Sequence, residues 1–145
     1  MAAFLRRFFI VSRFEYILLI QTFVTVLYYA FLVALFSRRF ILKQVGKAGV
    51  EAPYEISAND TVLAKQVAQA IRRSERVIPW RVTCFAKAIA AKKILKQRGL
   101  ASTLYLGVAK VGSDTITAHA WLRCGNVVVT GKEEMARFTP VAFFS

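Results

Sequence analysis

Two side chains in this 145-residue chain have the type and setting to move an acyl group. Cys84 follows Thr83, a natural helix N-cap, and so falls at the first position of a helix. Unpaired backbone N–H groups and the positive end of the helix dipole favour a thiolate there. His119 is the one histidine of the sequence, so proton transfer near neutral pH uses this ring or no imidazole at all. Taken singly, each residue has an ordinary structural role: free cysteine is usually a small buried hydrophobe, and a strand histidine is often satisfied by a backbone carbonyl. Taken together, a helix-start thiol and a strand imidazole are a nucleophile and a general base. Cys84 and Cys124 belong to no CxxC pair, and with one histidine they close no tetrahedral metal site, so neither metal nor cofactor is expected.

The elements that must position this pair are legible in the residue periods. A helix is expected from about Thr83 to Arg98, with Phe85, Ala88, Ile89, Lys92 and Leu95 at helical spacing and Gly99 at C′. Beyond Gly99 the period changes to two. Ser102–Val111, Thr115–Arg123 and Val127–Thr130 read as three strands of an antiparallel meander, with turns at 112–114 and near Gly125. Alternation places Thr117, His119 and Trp121 on one face of the second strand. An earlier helix begins near Asp60, its expected cap, carries Leu63, Val67, Ala70 and Ile71 on its apolar face, and stops before Pro79. The fold class is α+β.

Residues 1–50 form a distinct apolar and basic helical segment, separated from a core at 60–145 by a linker over 46–58 containing Gly46, Gly49 and Pro53. Tyr16–Phe36 holds 21 residues without a charge, long enough to cross a bilayer. Its flanks are basic on both sides, with Arg6, Arg7 and Arg13 before and Arg38, Arg39 and Lys43 after, so charge sets no orientation. Ser12, Glu15, Thr22, Thr25 and Tyr29 share one stripe, as in a packed core helix. Burial, interfacial packing and spanning all remain open, because periodicity does not separate them.

The formal net charge is +13, from 21 basic and 8 acidic residues. The basic residues are spread over several helices and do not alternate with stacking aromatics, which argues against nucleic acid. An anionic membrane surface or an acidic peptide suits the charge equally. The cysteine count indicates reduced thiols and a cytoplasmic setting, with membrane association through residues 16–36 as the added expectation.

The blocks Ile78-Pro79-Trp80-Arg81-Val82-Thr83-Cys84-Phe85-Ala86-Lys87-Ala88, Leu95-Lys96-Gln97-Arg98-Gly99, Leu104-Tyr105-Leu106-Gly107-Val108, Ala118-His119-Ala120-Trp121 and Arg137-Phe138-Thr139-Pro140 resemble the lasso peptide biosynthesis B2 proteins. These are transglutaminase-like cysteine proteases that remove the leader from a lasso precursor. The resemblance implies a papain/transglutaminase-like core and a Cys-His-Asp triad, in which Cys84 and His119 match the first two positions. No aspartate follows His119 in this chain. Thr130 is the residue expected at the third position: it lies opposite His119 if the hairpin turn is Cys124-Gly125, and opposite Trp121 if it is Gly125-Asn126. Glu133 and Glu134 are the nearby carboxylates that stand as alternatives.

The resemblance further implies a leader peptidase working on a precursor peptide with a separate B1 leader-recognition protein and an ATP-dependent lasso cyclase. Two other functions fit the residues. Transglutaminase-like acyl transfer uses the same thiol and imidazole, since the acyl-enzyme step is common to both reactions. A non-catalytic membrane or docking module would instead rest on the apolar segment.

Overall fold

The structure, a computed structural model, describes residues 12–145. Residues 1–11, with Arg6 and Arg7 of the basic flank, lie outside the described residues. The first helix, α1 (Arg13–Leu35), opens on a capping box: Glu15 N donates to Ser12 Oγ at 3.2 Å and Ser12 N donates to Glu15 Oε2 at 3.2 Å. Phe36 is extended and ends the helix, and Ser37 caps a short α2 (Arg38–Val45).

The helix after the linker, α3 (Ala58–Val77), is capped by Ser57, whose Oγ accepts from Asp60 N at 3.0 Å. The expected cap, Asp60, is therefore the third helical residue, where its charge suits the positive end of the dipole. Next comes α4 (Cys84–Gln97), with Thr83 as N-cap accepting from Ala86 N at 3.2 Å. Gly99, at φ 76°, takes the left-handed turn that ends it.

Four strands follow: β1 (Thr103–Val111), β2 (Thr115–Cys124), β3 (Val127–Thr130) and, after one 3₁₀ turn at Met135–Arg137, β4 (Thr139–Phe144). The sheet is antiparallel with order β3-β2-β1-β4. The fourth strand is an addition to the three-stranded meander read from the sequence. Pro140 has no N–H for a ladder, and β4 accommodates it by lying at the edge and bulging where it meets Leu106 and Gly107.

Helices α1, α3 and α4 and one face of the sheet enclose one core, to which Leu18, Val26, Val67, Ile71, Ile94, Leu95, Leu104 and Leu122 contribute. The core includes α1: Leu18, Thr22 and Val26 repeat every four residues and are buried, so the first helix packs into the domain along one stripe. The linker is also fixed. Buried Arg123 of β2 donates to Ala52 O at 2.8 Å, Pro53 O at 3.3 Å and Gly125 O at 2.8 Å, and its guanidinium lies 3.6 Å from the ring centre of Tyr54.

Candidate active site

Cys84 is the first residue of α4, half-buried, at a helix start whose amides are only partly used by the Thr83 cap. The other thiol is differently placed. Cys124 ends β2 inside the core with no exposed surface, and burial, followed by the charge of Asp60, raises its pKa above the ordinary thiol value. Of the two, only Cys84 combines access with a helix N-terminus.

His119 sits in β2, 7% exposed. Its ring is held between aromatic neighbours, Phe138 at 5.0 Å and Trp121 at 6.0 Å between centroids. Gly107 stands opposite it on β1, and this glycine makes room for the clamp: a Cβ there would meet Trp121 Cζ3 at 2.6 Å and Phe138 Cβ at 3.0 Å. Nε2 of His119 lies 3.3 Å from Gly131 O, and Nδ1 lies 3.6 Å from Glu134 Oε2. A carbonyl oxygen only accepts, so the Nε2 contact fixes the proton on that nitrogen and turns the Nδ1 lone pair toward the groove.

Thr130 does not hold the position expected of it. The turn is the two-residue Gly125-Asn126, with Cys124 opposite Val127, but a bulge between Leu122 and Arg123 then shifts the register and sets Thr130 opposite Leu122. Leu122 points into the core, on the other face of β2 from His119 and Trp121. Thr130 Oγ1 is consequently buried, with no hydrogen-bond partner among the described residues. Among the described residues the ring's hydrogen bond goes to the Gly131 carbonyl, and the Glu134 carboxylate near Nδ1 is an ion-pair partner only of the protonated ring. Glu134 was among the carboxylates visible in the sequence. Gly131 was missed, although a glycine directly after a strand and before Lys132-Glu133-Glu134 signals a backbone turn. Its φ is +76°, and a Cβ would stand 2.7 Å from His119 Nε2.

His119 lines a groove of about 310 Å³ between α3, α4, β3 and the segment after it, together with Arg72, Glu75, Lys87, Thr130, Gly131 and Glu134, and Cys84 is not among the residues that line it. Lys87, one turn along α4 from Cys84, donates to Glu75 Oε1 at 2.5 Å across the floor. Among the described residues the imidazole makes no hydrogen bond to Cys84. Catalytic contacts of this kind often close only when substrate is bound.

A capped helix that starts with a thiol thus packs on an antiparallel sheet that carries an imidazole. The sequence profile of the transglutaminase-like superfamily matches residues 25–142. The chain belongs to the transglutaminase-like superfamily, and the match takes in the later part of α1, from residue 25, as well as the helix-and-sheet core. Comparison with curated proteins and with solved structures returned no match.

Proposed function

We propose that the protein is a cysteine protease that removes the leader from a lasso-type precursor peptide, with Cys84 as nucleophile and His119 as general base. The observation that supports the reading is that one transglutaminase-like domain holds both an accessible thiol at a helix start and the chain's single imidazole, on a strand of the sheet that packs against that helix. The Cys84 thiolate adds to the scissile carbonyl carbon, and the proton held by His119 passes to the leaving amine as the C–N bond breaks. Water, deprotonated by the same ring, then attacks the thioester, freeing the leader carboxylate and returning the thiol. Gly131 keeps the Nε2 proton in place, and Glu134 is the counter-ion of the imidazolium.

A separate B1-type protein delivers the leader, and an ATP-dependent cyclase takes the trimmed core peptide. Both partners act with this chain in the cytoplasm. The test is incubation of the protein with a lasso-type precursor and a leader-binding partner, followed by mass spectrometry. A free leader carboxylate supports peptidase action. An amine-linked product assigns the site to acyl transfer instead, and an intact precursor under all conditions removes the proposal.

A further inference from the structure

The stripe of α1 opposite its core-packed side is also apolar. Ile17, Ile20, Val24, Tyr28, Phe31 and Leu35 repeat at spacings of three and four, so they form a continuous line along the helix. All six are exposed, from 50% at Ile20 to 63% at Phe31. Phe36 and Phe40, stacked with centroids 5.6 Å apart and also exposed, continue the surface onto α2. An apolar surface of this extent is unusual for a freely soluble domain. Its rim is basic: Arg13, Arg38, Arg39 and Lys43 are exposed around its ends. A groove of about 420 Å³ opens beside Tyr28, Phe36 and Phe40, and its far wall carries the exposed Lys93 and Lys96 of α4.

We propose that this face binds the surface of an anionic phospholipid bilayer, with α1 lying in the membrane plane and Lys93 and Lys96 meeting a lipid phosphate at the edge of the groove. Apolar side chains rimmed by cations match acyl chains beneath anionic headgroups. A second copy of this chain fits less well, because pairing the two faces would bring two basic rims together on molecules of charge +13.

A transmembrane α1 conflicts with the inner stripe. Gln21 donates from Nε2 to Gln97 Oε1 at 2.8 Å, and Gln21 Oε1 accepts from Arg98 Nη2 at 2.8 Å, which binds the helix to the charged end of α4. Spanning would strip these groups of their partners, or carry α4 into hydrocarbon with them. In-plane docking leaves them intact.

The experiment is co-sedimentation of the full chain with vesicles of phosphatidylcholine alone or mixed with phosphatidylglycerol. Wild-type protein pellets with the mixed vesicles and only weakly with phosphatidylcholine. The triple variant Ile20→Ser/Val24→Ser/Phe31→Ser stays in the supernatant with both, while its circular dichroism and thermal midpoint match wild type because these side chains lie outside the core. Lys93→Gln/Lys96→Gln weakens partition onto the mixed vesicles by roughly thirtyfold, about fivefold for each lysine, and leaves phosphatidylcholine unaffected. Tryptophan introduced separately at Ile17, Val24 and Phe31 is quenched by brominated lipids at one common depth.

Three results overturn the proposal: no vesicle binding by monodisperse wild-type protein, a triple variant that pellets like wild type, or a sedimenting dimer that the triple variant turns into a monomer. A quenching depth greatest at Val24 and shallow at the other two overturns the in-plane geometry in favour of a span. None of these readouts depends on peptidase activity.

Discussion

The carbonyl oxygen of Gly131 stands 3.3 Å from Nε2 of His119, at a position where any side chain would strike the ring. A methyl group on Gly131 faces two penalties, a left-handed backbone at φ +76° and a 2.7 Å approach to the imidazole. Gly131→Ala should therefore fold and displace His119. A misplacement of about 1 Å costs roughly a hundredfold in rate. Precursor cleavage at saturating substrate and partner is the measurement, and kcat should fall while KM holds. An unchanged kcat would show that the Gly131 contact does not orient the ring.

The two thiols should separate cleanly. Cys84→Ala is expected to abolish cleavage with the fold intact, and iodoacetamide should label Cys84 in native protein while sparing Cys124, which has no exposed surface. Cys124→Ala should retain cleavage and lose stability, because it empties a small volume in the core. His119→Ala should lower turnover by about a hundred- to ten-thousandfold. Peptide mapping of the labelled protein, beside turnover of the three variants, decides the matter. Equal loss in both cysteine variants contradicts the assignment.

Thr130 and Glu134 make opposite predictions. Thr130 Oγ1 is buried without a partner among the described residues, so Thr130→Val should keep turnover and raise stability by about 1 kcal/mol, read from urea denaturation. Glu134 is 59% exposed at 3.6 Å from Nδ1. Glu134→Gln should lower kcat by about fivefold at most, as befits an ion pair screened by water. A slow Thr130→Val enzyme would return Thr130 to the site.

Lys92 sets a pH dependence of stability. Its side chain is buried, donates to Ser102 O at 2.5 Å, and has a pKa lowered from 10.5 to about 8, first by burial and then by the charge of Lys96. Between those values the unfolded chain binds the proton and the folded one does not, so stability rises with pH by up to about 1.4 kcal/mol per unit. Tyr105, pushed from 10.0 up to about 12 chiefly by burial, acts in the opposite sense above pH 10. The buried Cys124 thiol, raised above 9.0, opposes the rise in the same way from about pH 9, so the rise is clearest between about pH 8 and 9, by denaturant titration, and Lys92→Met should flatten it.

What the sequence disclosed followed the range of the forces involved. The helix carrying Cys84 was legible because its signals are local: Thr83 caps one end and Gly99 turns the other. Strands β1 to β3 were legible to within a residue, since alternation and turn glycines act over short spans. The fourth strand was hidden by Pro140, which lowers strand propensity and is tolerated only because β4 is an edge, a tertiary fact. The same holds for the residue expected beside His119. Alternation placed Thr130 on the His119 face, and one bulged residue in β3 reversed that placement. No local rule announces a bulge of that kind. The exposed stripe of α1 was visible as an apolar run, but only packing distinguished its inner line, at Leu18, Thr22 and Val26, from its outer one.

The linker and the last strand have a consequence for the order in which the molecule is made. Ala48 bridges Phe144, Lys47 N donates to Ser145 O, and Ala52 is held by Arg123. Segments that leave the ribosome early thus find their partners only after the last strand of the sheet has been made. At ordinary elongation rates of about 5–20 residues per second, α1 waits several seconds for α3 and α4 to cover its inner stripe. Throughout that interval both apolar lines of the helix are uncovered. Whatever captures nascent hydrophobic segments in the cell meets this chain before the domain's core exists, and docking of the helix onto its own domain competes in time with that capture.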